Sequence, residues 1–138
     1  MKMFYRNIMD EIKKLKDLAE KERFRKFLGI EIVKVEKGYS KVKLKITENM
    51  TNIYSFTHGG VVFALADEAF ELACNSRGYI EYGLNVNISY VKASNVGDTI
   101  FAEAKFVSES KKIAIYHIRI FNEKDETLAT CQAMAYKK

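Results

Sequence analysis

The stretch that decides the fold is HGGVVFALADEAFELACNSRG, residues 58–78. After Gly60, apolar side chains occupy nearly every direction around a helix as far as Cys74. The only charges on that helix are three carboxylates, Asp67, Glu68 and Glu71. A helix that is apolar almost all round is surrounded by other elements rather than laid on a surface. The sequence therefore predicts a central buried helix, ended by a glycine suited to the left-handed cap position.

Strand-like alternation of apolar and polar residues lies on both sides of this helix. Two runs precede it, joined by a turn at residues 37–40 and followed by a polar loop at residues 47–57. Four runs follow it, over residues 80–92, 99–108, 113–121 and 127–136. Such runs, bounded by turn residues, are typical of antiparallel strands. The order predicts one α+β domain over residues 1–138, with an antiparallel sheet wrapped around the central helix.

The positive charge of the chain is concentrated near its N-terminus. The net charge is +5, and residues 1–28 carry 9 Lys/Arg against 5 Asp/Glu. Apolar residues recur there at steps of three and four, which predicts an amphipathic N-terminal helix over residues 1–28. Its basic face is either simply solvated or a contact for a polyanion or membrane. Because aromatic and basic residues do not alternate in the rest of the chain, we expect no nucleic acid partner.

Composition excludes several classes of protein. The chain has 138 residues and 48% hydrophobic residues, enough for one globular core. It has no apolar run of the ~20 residues that span a membrane, and no apolar signal region at its start, so we expect a cytoplasmic protein without a membrane partner. Two cysteines, Cys74 and Cys131, are predicted to be reduced and buried. Two histidines and no CxxC pair predict no metal site.

The glycines at the start of the central helix are candidates for chemistry. The first turn of a helix presents backbone N–H groups that lack intrahelical partners and carry the positive end of its dipole. Gly59 and Gly60 leave these groups uncovered, so they could stabilise an oxyanion. Alternatively, the glycines only permit a tight entry into a crowded helix. His58, directly before them, either contacts substrate or hydrogen-bonds within its loop.

Asp67 is the second candidate, about two helical turns beyond Gly60. A carboxylate on a buried helix is costly unless it is paired or lies at a cavity. Asp67 and Glu71 are four residues apart and share a face, so with Glu68 they could form one wet stripe at a cleft or subunit interface. One of them would then be a general base. The motifs GxSxG, GxGxxG and GxxxxGK[ST] do not occur, which argues against a serine nucleophile elbow and against the usual nucleotide loops.

These motifs resemble the hotdog-fold acyl-CoA thioesterases, in particular their phenylacetate-pathway, or PaaI-like, branch. The resemblance rests on HGG at residues 58–60, on LAD at residues 65–67 with its aspartate nine positions after the histidine, and on CNSRG at residues 74–78. It extends through FLGIE at 27–31, NISY at 87–90 and VGDT at 96–99. It implies the hotdog fold, a sheet wrapped around a long central helix, here with an extra N-terminal helix.

The resemblance also implies roles for particular residues. The Gly59 amide would polarise the thioester carbonyl, and Asp67 of the partner subunit would act as general base on water or as nucleophile. Asn52 would hold the water or the thioester, and His58 would support the loop or contact substrate. Some relatives place a serine near residues 83–85 on the next strand. This chain has none there, and Asn85 is the candidate polar partner of Asp67.

Coenzyme A would lie along the ends of the strands that follow the helix. The candidate contacts are Tyr90, Lys92, Ser94, Ser110, Lys111 and Lys112. Because coenzyme A is part of the substrate, no separate cofactor is expected. The resemblance further implies a homodimer or homotetramer with active sites at the subunit interface.

The function that the resemblance implies is hydrolysis of an acyl-CoA, such as an aryl-acetyl-CoA or a fatty acyl-CoA, to free acid and CoA. One alternative is a non-catalytic hotdog protein that binds acyl-CoA or an acyl carrier. Another is a hotdog dehydratase or hydratase, which is disfavoured because Asp67, and no second histidine motif, follows HGG.

Overall fold

The computed structural model describes the backbone of residues 2–138 and the side chains from residue 7 onwards. Two helices come first, α1 (Lys2–Ala19) and α2 (Arg23–Leu28), followed by strands β1 (Glu31–Glu36) and β2 (Tyr39–Lys45). A short 3-10 turn at Glu48–Met50 leads to the long helix α3 (Gly59–Asn75). The remaining strands are β3 (Glu81–Tyr90), β4 (Thr99–Glu109), β5 (Ile113–Asn122) and β6 (Thr127–Lys137).

The six strands form one antiparallel sheet in the order β1-β2-β4-β5-β6-β3. Helix α3 contacts every strand of this sheet, most extensively β2 and β4. Its buried residues, such as Leu65, Ala69 and Leu72, pack against small and branched residues such as Ala104, Ile118 and Ala133. The predicted α+β architecture, an antiparallel sheet around a central helix, is confirmed. Small alanines on the strands let the helix backbone approach the sheet closely.

The N-terminal segment differs from the single helix predicted over residues 1–28. The chain leaves α1 after Ala19 and starts α2 at Arg23. The buried Arg25 guanidinium fixes this break, because its Nε and Nη2 donate to Ala19 O and its Nη1 donates to Ile30 O at 2.7 Å. Gly29 then ends α2 with φ +83°, a left-handed conformation that favours glycine. Within residues 2–138, no helix is long and apolar enough to cross a membrane.

Strand β2 begins earlier than the hydrophobic alternation predicted. Tyr39 and Ser40 already pair with β4, where Ser40 lies opposite Ala104. Ser40 is fully buried, and its hydroxyl donates to Ala69 O of α3. A polar residue therefore occupies a core position because its hydrogen-bond donor is satisfied by the helix backbone.

Both cysteines are free and buried, as predicted. Burial raises the pKa of the Cys131 thiol to about 11 and the pKa of the Cys74 thiol still further. Since the thiolate is the reactive species, these side chains pack as small hydrophobes.

Candidate active site

The start of α3 leaves one backbone donor without a partner. His58 is the N-cap residue, and its Nδ1 accepts the Gly60 N–H at 2.8 Å. The His58 N–H donates to Met50 O, and the Val61 N–H donates back to His58 O. Among residues 2–138, the Gly59 N–H has no hydrogen-bond partner. This free donor lies at the positive end of the helix dipole.

Gly59 and Gly60 have different structural roles. A Cβ on Gly60 would lie 3.0 Å from Nδ1 of His58, so a larger residue there would push the capping ring away from the helix start. A Cβ on Gly59 would meet the Tyr90 ring at 3.4 Å, an ordinary contact distance. The Tyr90 hydroxyl donates to Gly59 O at 3.1 Å. The tight-entry interpretation therefore applies to Gly60, while Gly59 presents the free amide.

Asn52 shapes the loop that leads to the helix. Its Oδ1 accepts the N–H groups of Tyr54, at 2.9 Å, and Phe56, at 3.2 Å. Ser55, inside the turn, has φ +64°. These bonds hold the loop beside the Gly59 amide, and Asn52 lies at the same cavity as Gly59.

A cavity of about 320 Å³ at the start of α3 brings together five of the predicted site residues, Asn52, Gly59, Tyr90, Lys92 and Ser94. Lys92 forms an ion pair with Glu126 at its rim. Ser94 is buried, and its hydroxyl donates to Thr57 Oγ1 at 2.7 Å. Ser94 thus fixes the chain below the cavity, whereas Lys92 has an exposed ammonium group.

Asp67 lies at a different cavity from Gly59. It is exposed and lines a groove of about 1000 Å³ between α1, α3 and the start of β3. It lies eight residues beyond Gly59, which corresponds to about 12 Å along the helix axis. Partial burial, and then the charge of Glu22, raise the pKa of the Asp67 carboxyl. One chain by itself does not bring Asp67 to the Gly59 amide.

The carboxylates next to Asp67 do not form one uniform stripe. Asp67 and Glu71 are exposed, as a wet face requires, but Glu68 is only 5% exposed. Glu22, at the start of α2, joins Glu68 and Glu71, with one oxygen of each within 4.8 Å of the others. Burial and then Glu22 raise the pKa values of Glu68 and Glu71. Sequence periodicity did not identify Glu22, because it belongs to another element.

Within one chain Asn85 does not face Asp67, so its role as the polar partner of Asp67 stays a prediction. Strict alternation from Gly83 would place Asn85 on the helix side of β3, where Gly83 lies against Phe70. The register shifts between Gly83 and Asn85, and Asn85 pairs with Met134 instead. This bulge turns Asn85 to the sheet face away from α3, since an inserted residue reverses the alternation.

Three predicted coenzyme A contacts, Ser110, Lys111 and Lys112, lie in the turn between β4 and β5. This turn is at the opposite end of the sheet from Gly59, because Tyr90 pairs with the start of β6 whereas Lys112 lies beside its end. Ser110 O accepts the Lys137 ammonium at 2.6 Å, and Lys112 Nζ lies 5.7 Å from the Tyr136 ring centroid. Within a single chain, the predicted coenzyme A contacts therefore lie at two opposite ends of the sheet.

Comparisons with known proteins agree with this geometry. The family model described as the thioesterase superfamily matches residues 54–129. The chain is 32% identical over 120 residues to acyl-coenzyme A thioesterase PaaI of Escherichia coli, covering 87% of this chain and 86% of that protein. It is 26% identical over 112 residues to acyl-coenzyme A thioesterase 13 of Pongo abelii, covering 79% and 80%. The solved structure of the E. coli PaaI protein superposes with a TM-score of 0.89 at 29% identity, covering 94% of each chain.

Proposed function

This chain belongs to the thioesterase superfamily, and we propose that it hydrolyses an acyl-coenzyme A to the free acid and coenzyme A. The single observation that carries the proposal is the Gly59 N–H, which has no partner in the described chain and lies at the start of a buried helix. A donor held in this way stabilises the negative charge that develops on a carbonyl oxygen during acyl transfer. The relatives in E. coli and Pongo abelii are acyl-coenzyme A thioesterases, which supports coenzyme A thioesters as the substrate class.

In the proposed mechanism, Asp67 accepts a proton from water as the water oxygen adds to the thioester carbonyl carbon. The carbonyl oxygen becomes an oxyanion that accepts the Gly59 N–H. The intermediate then collapses, the carbon–sulfur bond breaks, and the sulfur leaves with the proton returned from Asp67. The products are the carboxylic acid and the free thiol of coenzyme A. A raised pKa suits Asp67 to this role, because a general base works best with a pKa nearer the working pH.

The same proposal requires a second subunit. Reacting groups must lie within about 3–3.5 Å of each other, whereas Gly59 and Asp67 of one chain are separated along α3 by about 12 Å. Strand β3 is an edge of the sheet, and Tyr82, Leu84 and Tyr90 on it are each more than half exposed. An exposed apolar edge strand is a ready site for pairing with another chain. We therefore infer a homodimer, or a tetramer built from such dimers, in which Asp67 of one protomer faces Gly59 of its partner.

Coenzyme A would enter through the cavity lined by Tyr90 and Lys92. Lys92 could exchange its exposed pair with Glu126 for a phosphate, since a surface ion pair is worth little. Ser110, Lys111 and Lys112 could contribute only from another protomer, because they lie at the far end of their own sheet. His58 holds the loop and the helix start, and Asn52 orients the loop. No cofactor beyond the substrate is part of the proposal, and a cytoplasmic location stays a prediction.

Thiol release from a panel of coenzyme A thioesters tests the activity. The panel would contain phenylacetyl-, hydroxybenzoyl-, short fatty acyl- and long fatty acyl-CoA, and free thiol would be measured with a chromogenic disulfide. We expect turnover of at least one class. Tight binding of an acyl-CoA without thiol release would support the alternative function of a binding protein and contradict hydrolysis.

Mixing two inactive variants tests the shared site. Gly59→Pro removes the amide donor and Asp67→Asn removes the base, so each homodimer should be inactive. In a two-fold symmetric dimer, a mixed pair contains one intact site with both wild-type residues, and random mixing should restore about a quarter of wild-type activity. The mixture is prepared by unfolding and refolding the two variants together. Restoration of no activity, with mixed dimers verified by differential tags, would contradict a site shared between protomers.

A further inference from the structure

Three carboxylates from two elements converge beside α1, and we call Glu22, Glu68 and Glu71 the acidic triad. One oxygen from each lies within 4.8 Å of the others. Glu68 and Glu71 are three residues apart on α3 and therefore share a face. Glu22 is the N-cap residue of α2, and its side chain makes no cap hydrogen bond to the described residues of that helix. The three carboxylates therefore lie close enough to hold a shared proton or a common cation.

The buried member of the triad lacks a satisfying partner. Glu68 is 5% exposed, and its Oε1 has no hydrogen-bond partner among the described residues. Its nearest cation is Arg25, whose Nε lies 4.0 Å from that oxygen. The Arg25 guanidinium already donates to Ala19 O and Ile30 O. A buried carboxylate oxygen in this state costs free energy, so it needs a further positive partner.

The local charges also favour a cation. Glu20 pairs with Arg25 at 3.4 Å and Glu68 Oε1 lies 4.0 Å from it, so the carboxylates of this region outnumber its one buried guanidinium. Lys14 and Lys21 line the same groove as Asp67 and Glu71, and both are exposed. The triad runs from the buried Glu68 to the exposed Glu71, which gives an ion a path from solvent and room for water ligands.

We propose that the acidic triad binds one divalent cation of the oxygen-preferring class, Ca²⁺ or Mn²⁺, which joins α2 to α3. Carboxylate oxygens suit these ions rather than softer metals. Calcium–oxygen distances of about 2.3–2.6 Å allow two ligands on opposite sides of the ion to be about 4.6–5.2 Å apart, which matches the spread of the triad. The ion is structural. It lies outside the proposed hydrolysis, which uses Asp67 and the Gly59 amide.

The test measures binding of Mn²⁺ to the full chain by electron paramagnetic resonance, in which free aqueous Mn²⁺ gives the signal and bound Mn²⁺ loses it. We expect one saturable site per chain that Ca²⁺ displaces, and a higher melting temperature at saturating ion, since binding to the folded state stabilises it. Glu22→Gln and Glu71→Gln keep the side-chain shape and remove one ligand charge each. Each should weaken Mn²⁺ binding by about tenfold to a hundredfold.

Glu11→Gln is the matched control, because Glu11 lines the same groove but does not belong to the triad. It should bind Mn²⁺ with wild-type affinity, and circular dichroism verifies that all variants remain folded. Absence of saturable binding at millimolar Mn²⁺ and Ca²⁺ would overturn the proposal, leaving shared protons to hold the triad together. Equal weakening by Glu11→Gln and the triad variants would also overturn it, because the groove would then attract ions only through its overall charge.

Discussion

The two functional regions of α3 differ in what they lack. At the helix start, hydrogen bonds satisfy the groups around the Gly59 N–H, which itself has no partner among the described residues. In the middle of the helix, carboxylates outnumber the cations around them, and Glu68 Oε1 has no hydrogen-bond partner in the described chain. The first region therefore presents one hydrogen-bond donor, whereas the second has more carboxylate acceptors than donors to pair with them.

In the proposed mechanism, one helix serves both sides of the reaction. An oxyanion needs a rigid donor, and the helix start supplies one without a charged side chain. Activation of water needs a proton acceptor, and Asp67 supplies one about two helical turns beyond Gly59. Because the Gly59 amide and Asp67 of one chain cannot both reach one thioester, the proposed mechanism takes its donor from one chain and its proton acceptor from another.

The largest expected effect comes from Asp67→Asn, which removes the proposed base from the acceptor region. Turnover should fall by about 10²–10⁴, the usual contribution of a general base. The amide is similar in shape to the carboxylate, so the fold should persist. Thiol release measures turnover and circular dichroism measures the fold, with Glu11→Gln as a control from the same groove. Wild-type turnover by Asp67→Asn would remove Asp67 from the mechanism.

The donor region is tested by Gly59→Pro beside Gly59→Ala. Gly59 is the first helical residue, where proline is well tolerated, and His58 before it has ψ 135°, an extended conformation compatible with a following proline. Proline replaces the amide hydrogen by a ring methylene and so abolishes the donor, and kcat should fall by about 10²–10³. Alanine retains the N–H, and its Cβ would lie at ordinary contact distance from Tyr90, so it should stay close to wild type. Equal losses in the two variants would indicate steric damage rather than loss of the donor.

Arg25→Met should destabilise the protein by removing the contacts that join α1, α2 and α3. The substitution leaves the carbonyl groups of Ala19 and Ile30 without their donor and Glu68 without its nearby cation. We expect a loss of about 3 kcal/mol in the free energy of unfolding, typical of removing one partner of a buried charge pair. Urea unfolding measures it, and Arg23→Met, at an exposed position of the same helix, is the control. A loss no greater than that of the control would show that Arg25 does not fix the break between α1 and α2.

The smallest expected effect is that of His58→Ala, which removes the N-cap acceptor for the Gly60 N–H. Loss of an N-cap costs about 1 kcal/mol. His58→Asn should recover much of this stability, because asparagine is also a good cap residue. Thermal unfolding of the two variants measures the difference. If both variants lose equal stability, the histidine ring stabilises the loop by packing rather than by capping.

Much of the fold could be predicted because it follows from local patterns. The apolar run after HGG gave the buried helix, and two-residue alternation gave six strands close to their observed bounds. The break between α1 and α2 could not be predicted, because both sides have helical patterns and Arg25 stabilises the break through contacts with Ala19 and Ile30. The buried Ser40 was missed for a similar reason, since its partner is a carbonyl on another element.

Of the predicted site residues, those that are neighbours in sequence also lie together in the structure. Asn52 and Gly59 line one cavity with Tyr90 and Lys92, and His58 caps the helix start beside it. Asn85 faces away from α3 because a bulge reverses the strand alternation after Gly83, a feature that the sequence does not indicate. Glu22 was missed because its relation to Glu68 exists only after α2 packs beside α3.

The sequence by itself determined the fold class and marked the helix start as a candidate donor site, because helix burial, glycine geometry and the dipole of a helix start are properties of short segments. Only the tertiary structure decided that Glu68 is buried without a hydrogen-bond partner in the described chain, that Asn85 faces away from α3, and that Gly59 and Asp67 open into separate cavities. These features depend on the distances between elements far apart in sequence. Local periodicity contains no information about such distances, so they arise only when the sheet closes around the helix.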